Sequence, residues 1–302
     1  MGMEKEVTEF TVNMTDGEHM YPHSNGEIWQ KYKIVNGNPH GKWQYFHPNG
    51  KISIDEKYDN GLKVGQWSSF HENGQRWSEE NYLKGKRHGI FKKWRYDDVL
   101  EYEGRYKNDK KSGLWVHYYD TGTQEHLRTY KDGNINGTEY GFNKIDGKLC
   151  SKIDYKDGKL HGKHFEYTST KRVTLIGNWK NDKKDGIWKG FHESNGSKWY
   201  SCTYKNGIPV GDCFYWQSDG MIKIRCSYND IGKYEGSWTE WYMSGEKRST
   251  GSYKNGIMDG KWTYYYERGK VEYTFTKVDG EVVGGRVYHP SGKLRLTNKV
   301  NT

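Results

Sequence analysis

Four cysteines, Cys150, Cys202, Cys213 and Cys226, are the strongest candidate nucleophiles and soft metal ligands in the chain. They show no Cys-x-x-Cys spacing and no accompanying His pattern, so neither a zinc site nor a redox motif is written in the sequence. Cys202 and Cys226 hold the same position in consecutive copies of a repeat set out below. One intervening strand places them about 10 Å apart, at about 4.8 Å per strand, too far for a disulfide. The expectation is four free thiols in a reducing compartment.

Histidines offer a second kind of chemistry. His47, His71, His192 and His289 recur near one turn of the repeat, where a row of imidazoles could hold a metal. Their copies are not all adjacent, and no carboxylate or Cys recurs with them, so they read as turn-lining residues. His40, His88 and His161 precede the repeat glycine and belong to the same turns. Glu56 and Glu80 share a position in neighbouring copies. As an acid–base pair they would stand about 10 Å apart across alternate strands, which reads as a solvated or Lys-paired row. Phosphate-loop, His-Glu-x-x-His and Gly-x-Ser-x-Gly motifs are absent from the sequence, leaving no catalytic, cofactor-binding or metal-binding set to name. The remaining candidates are tryptophans. Trp29, Trp77 and Trp199 occupy an odd, outward-predicted strand position where other copies carry Ser53, Glu101, Glu125, Lys223 and Arg248. An exposed Trp is a suitable anchor for a protein partner.

The elements that position these residues follow from a repeat. Gly41-Lys42-Trp43-Gln44-Tyr45-Phe46-His47-Pro48-Asn49-Gly50 opens a unit that closes on Tyr58-Asp59-Asn60-Gly61. Later copies begin near Gly65, Gly89, Gly113, Gly137, Gly162, Gly186, Gly211, Gly236, Gly260 and Gly284, in steps of 24 or 25 residues. A steady period over most of a chain means one supersecondary unit in an array. Counting from the glycine, position 3 is aromatic in most copies (Trp43, Trp67, Phe91, Trp115, Trp188, Trp238, Trp262), with Glu139, His164 and Cys213 as exceptions. Position 6 is aromatic throughout, from Phe46 to Tyr265. These positions differ in parity, so either a bulge intervenes or both faces carry rings. The second strand alternates with period two, as in Ile52, Ile54 and Tyr58, the mark of a half-buried strand. Asn-Gly and Asp-Gly turns pair sequential neighbours as hairpins.

The fold class expected is all-β: an elongated, single-layer antiparallel meander of about 11–12 hairpin units. Residues 1–17, with Val7, Phe10 and Val12, would form an N-terminal cap, 18–283 the array, and 284–302 a partial repeat and C-terminal cap. Hydrophobic residues make up 32% of the 302 positions and aromatics 16%, enough for a thin sheet covered by rings rather than a thick aliphatic core. The net charge of +9 resides mostly in turns where an acid flanks the base, as in Lys107-Asn108-Asp109-Lys110-Lys111. That describes a solubilising edge, with no nucleic acid expected as partner. Met1 to Phe10 lacks the apolar stretch of a signal peptide, and no run approaches the roughly 20 apolar residues of a membrane span. A cytoplasmic protein is expected.

The pattern Gly-x-Trp-x-x-Phe/Tyr-x-x-x-Gly, then Tyr-Lys-Asn/Asp-Gly-Lys-x-x-Gly, resembles the MORN repeat in its bacterial variant. Tyr155-Lys156-Asp157-Gly158-Lys159-Leu160-His161-Gly162 and Tyr253-Lys254-Asn255-Gly256-Ile257-Met258-Asp259-Gly260 carry it best. The likeness spans roughly residues 20 to 295, and such chains are similar to YwqK-type antitoxin or immunity proteins. The resemblance implies a non-enzymatic protein that neutralises a cognate protein toxin by direct binding. The alternative it implies is a scaffold or membrane-surface protein whose basic turns make weak peripheral contact with anionic lipid.

Overall fold

The computed structural model describes residues 14–299, so the cap strand expected over Val7, Phe10 and Val12 lies outside the described residues. Among the described residues every regular element is a β-strand. The chain divides into two units, residues 1–136 and 137–302. The described part of each is an antiparallel meander in which sequential strands pair.

One copy shows how the unit is built. Asn38–Phe46 pairs with Ile52–Asp59, with Gly41 opposite Tyr58, Trp43 opposite Glu56 and Tyr45 opposite Ile54. The next pair is Phe46 with Ile52, so Ser53 is an extra residue on the second strand. This bulge recurs at the same place in later copies, leaving Trp77, Trp199 and Lys223 as the extra residues. The hairpin turns at residues 47–51, where the Gly50 N–H donates to the His47 carbonyl. The second strand then folds onto the next, Leu62–Lys63, through Asn60-Gly61, both with positive φ (45° and 79°). That is the left-handed pair whose twist matches the flanking strands.

The parity mismatch resolves in favour of rings on both faces. Position 6 shares a face with position 4, as the stacks Phe165–Tyr167 and Phe214–Trp216 show. Position 3 shares the opposite face with position 5, as in Trp262–Tyr264.

A second irregularity joins each copy to the one before. Glu103 pairs with Val116 but Arg105 pairs with Ser112, so Gly104 faces the longer stretch Gly113–Trp115. The looped-out backbone leaves the carbonyl of Arg105 turned to the indole of Trp115, whose Nε1 donates to it at 3.1 Å. Trp67, Trp188 and Trp262 repeat this bond to Lys57, Asn178 and Ser252. The indole lies flat on the strand it bonds. A Cβ added to Gly104 would sit 2.2 Å from the Trp115 ring, and one added to Gly177 would sit 2.1 Å from Trp188. Trp115 and Trp188 are thereby fully buried in a sheet without a second layer above them.

Basic turn residues complete the cover, beyond the solubilising role expected of them. Lys63, Lys111 and Lys184 hold their ammonium groups 4.1, 4.1 and 4.4 Å from the centroids of Trp67, Trp115 and Trp188. Their alkyl stems shield the ring and the charge favours its face.

Adding a methyl at the ring-covered glycines should be costly, because the obstacle is an indole pinned by its own hydrogen bond. Gly104→Ala and Gly177→Ala should each destabilise by about 1–3 kcal/mol or more. Urea-unfolding midpoints test this by repeating each glycine change with its ring removed, Gly104→Ala in Trp115→Ala and Gly177→Ala in Trp188→Ala. Glycine changes that cost as much without the indole as with it would refute the close-packing account.

Candidate functional site

The turn histidines divide: His47 and His23 bond the next copy, whereas the buried Nε2 atoms of His71 and His192 have no hydrogen-bond partner among the described residues. His47 Nε2 reaches the carbonyl of Phe70 at 3.0 Å, and His23 Nε2 that of Phe46 at 2.9 Å. Arg95, Gln217, Tyr242 and Tyr266 make the same bond from the same turn position to Tyr118, Tyr242, Tyr265 and Tyr288. One turn side chain therefore stitches each of these copies to the next.

Glu56 and Glu80 depart from the solvated or Lys-paired row expected. Each accepts a hydrogen bond from a tyrosine two residues on: Tyr58 at 3.0 Å and Tyr82 at 2.7 Å. Burial raises the Glu56 carboxyl above its usual value, although the Tyr58 hydroxyl and Lys63 pull the other way. Burial, followed by the neighbouring carboxylates, raises Tyr58 and Tyr82 in turn. These pairs sit inside the ring ladder.

The expectation of four free thiols is corrected at two of them. Cys202 and Cys213 form a disulfide with Cα atoms 4.4 Å apart, while Cys150 and Cys226 are free. The spacing argument compared equivalent positions in alternate strands. The bond instead joins the second-strand position of one copy to position 3 of the next, which face one another across the inter-copy irregularity.

The three tryptophans expected as anchors occupy separate settings. Trp29 is half-buried and meets Tyr45 edge-on at 6.2 Å. Trp77 is 49% exposed, near His71. Trp199 is 40% exposed, and it alone lines a sizeable groove. Its ring covers Gly190, where a Cβ would stand 2.4 Å away, and stacks on Tyr200 at 5.0 Å. The bulge thus turns Trp199 onto the face of its neighbour Tyr200 instead of the outward face that strict alternation predicts.

The groove, of about 620 Å³, spans three copies of the second unit. Three extra bulge residues, Thr174, Trp199 and Lys223, line it in succession. Leu175, Tyr215 and Trp216 supply apolar surface, and Glu166 and Lys223 supply opposite charges. Burial raises the Tyr215 phenol, so it stays protonated and able to donate. His192, also on the lining, keeps a buried Nε2 without a hydrogen-bond partner among the described residues. Chemically the lining offers an aromatic centre, the carboxylates of Glu166 and Glu193 against the Lys223 ammonium, and an unspent imidazole nitrogen. The sequence singles out Trp199 and places Lys223 at the same strand position only as a contrast to it; it does not single out Thr174, the third bulge residue of the groove.

A second concavity, about 340 Å³ in the first unit, is basic: Lys86, Lys107, Lys110 and Lys111 line it with Asp132. Burial, and then the nearby Arg128 and Arg87, depress Lys111 below the usual lysine value.

If Trp199 serves recognition and Trp188 packing, their truncations should differ in stability. Trp188→Ala should cost about 3–5 kcal/mol, and Trp199→Ala less than half as much. Equal urea midpoints for the two variants would make Trp199 a core residue.

No curated protein matches the chain. Among solved structures, a Tc holotoxin pore from Photorhabdus luminescens aligns over 92% of this chain and 18% of its own, at 11% identity and a TM-score of 0.20. A TcdB2-TccC3-Cdc42 complex aligns over 94% and 17%, at 10% identity and again 0.20. The chain therefore spans under a fifth of those chains, and the superposition is too poor to transfer anything from them. Residues 39–60, 63–84 and 258–276 match the MORN repeat variant family. The intervening copies share the strand–turn–strand register of these three stretches, so the unit that matches in them recurs between them.

Proposed function

We propose that the chain is a non-enzymatic binding protein that neutralises a protein toxin, in the manner of an immunity protein or antitoxin. The observation that carries the reading is the groove around Trp199. Three successive bulges aim an exposed indole, a lysine and a threonine into one concave, aromatic-lined surface of fixed backbone. A preorganised surface loses little conformational freedom on binding, which suits tight inhibition. Exposed Trp at the centre of a concave patch is the usual composition of a binding hot spot. The cytoplasm is the proposed site of action, and there the Cys202–Cys213 bond would be subject to exchange with cellular thiols.

The basic concavity at Lys86, Lys107, Lys110 and Lys111 supports a second reading, a scaffold that contacts anionic surfaces. Salt separates the two. Lysine-mediated contact with vesicles of anionic lipid should collapse between low and physiological ionic strength, whereas an aromatic-anchored protein complex should persist.

Co-expression with the protein encoded by the adjacent gene tests the antitoxin reading. Wild-type chain should suppress that protein's toxicity. Trp199→Ala should bind it at least about tenfold more weakly while staying folded, its loss of stability well below that of Trp188→Ala. A wild-type chain that gives no rescue, or rescue and affinity untouched by Trp199→Ala, would sink the toxin reading or the groove respectively.

A further inference from the structure

Cys202, Cys213 and Cys226 lie side by side on three consecutive strands, Lys198–Lys205, Ile208–Trp216 and Ile222–Tyr228. Cys213 is bonded to Cys202 on one side and is the direct register partner of Cys226 on the other. Register partners in an antiparallel pair have Cα atoms about 4.5–5.5 Å apart, inside the roughly 4.4–6.8 Å that a disulfide spans. The middle sulfur therefore has a competent partner on each flank and can bond only one at a time. All three are buried, at 2%, 0% and 2% exposure, in one cluster with Trp188 and Tyr200.

We propose that this row is an internal thiol–disulfide exchange site, in which the cross-link moves between Cys202–Cys213 and Cys213–Cys226. The Cys226 thiolate attacks the Cys213 sulfur. A Cys213–Cys226 bond forms as the Cys202–Cys213 bond breaks, its electron pair leaving on Cys202, which takes up the proton that Cys226 gave up. Atoms and electrons balance without an external oxidant or reductant. The burial that protects the row also sets its speed. It pushes the Cys226 thiol up to about 11, with the Tyr228 hydrogen bond opposing and Asp212 reinforcing. Tyr200 within the cluster, and Tyr204, Tyr215 and Tyr234 packed on it, are the other titratable groups there. Exchange should accordingly quicken roughly tenfold per pH unit from neutrality towards that value, as the thiolate fraction grows.

The three strands also carry Trp199, Tyr215 with Trp216, and Lys223, which line the groove. Exchange shifts the covalent brace from the Trp199 strand to the Lys223 strand. That regulatory consequence rests on the binding reading; the exchange itself does not.

The test is disulfide mapping of the full chain, oxidised, freed of added thiol and disulfide, incubated, quenched in acid, alkylated, digested and read by mass spectrometry. Wild type should yield peptides of both linkages, and their interconversion should speed up between pH 7 and pH 9. Cys226→Ser should yield Cys202–Cys213 alone, and Cys202→Ser should yield Cys213–Cys226. Recovery of Cys202–Cys213 as the sole linkage in wild type at every pH overturns the proposal. That outcome needs no variant to fold and no partner to bind, so it stands apart from the result for the groove.

Discussion

Everything in this molecule depends on an indole lying flat on a strand that has made room for it. A sheet with one layer has nothing above it to bury its rings. The rings must cover the sheet themselves, and a residue without a side chain lets an indole lie directly on the strand beneath. Gly104 beneath Trp115, Gly177 beneath Trp188 and Gly251 beneath Trp262 meet that condition. The bond from indole Nε1 to the looped carbonyl then satisfies two polar groups that burial would otherwise strand. Lysine stems close the ring's outer face. This is how 32% hydrophobic content suffices: burial is built from aromatic area and side-chain cover, with little aliphatic interior.

The repeat made most of this legible in advance. Its period, its Asn-Gly turns and the alternation Ile52, Ile54, Tyr58 define strands, hairpins and pairing order. What spacing alone did not convey was the pair of irregularities in each copy. Counting residues from a glycine assigns a face by parity, and a bulge resets parity locally. Trp199 therefore lies over Gly190, on the face of Tyr200. The inter-copy irregularity had a similar effect on the cysteines. It brings position 3 of one copy against the second strand of the copy before, so Cys213 meets Cys202 although neither is close to the other's equivalent position.

The exceptions to the repeat also gather. In the second unit, position 3 departs from aromatic at Glu139, His164 and Cys213, and the inward second-strand residues there include Cys202 and Cys226. Around His164 the ladder is maintained by polar means: Trp179 Nε1 donates to its Nδ1 at 3.0 Å, and Glu166 lies 3.1 Å from its Nε2. Glu166 then contributes to the groove. At His164 the ring is replaced by a polar contact set that reaches the groove through Glu166, and the strand order is unaltered.

The turn side chains that bond the next copy have a further consequence, for how the chain comes to fold. His47 reaches Phe70, Gln217 reaches Tyr242 and Tyr266 reaches Tyr288, spans of 22 to 25 residues. All-β proteins usually fold slowly because their strands must find partners far along the chain. Here the pairings within each unit close loops of about one copy, and loop-closure cost grows only slowly with length. Folding can begin at any copy and spread to its neighbours, giving a β-protein the short-range kinetics more familiar from helical ones.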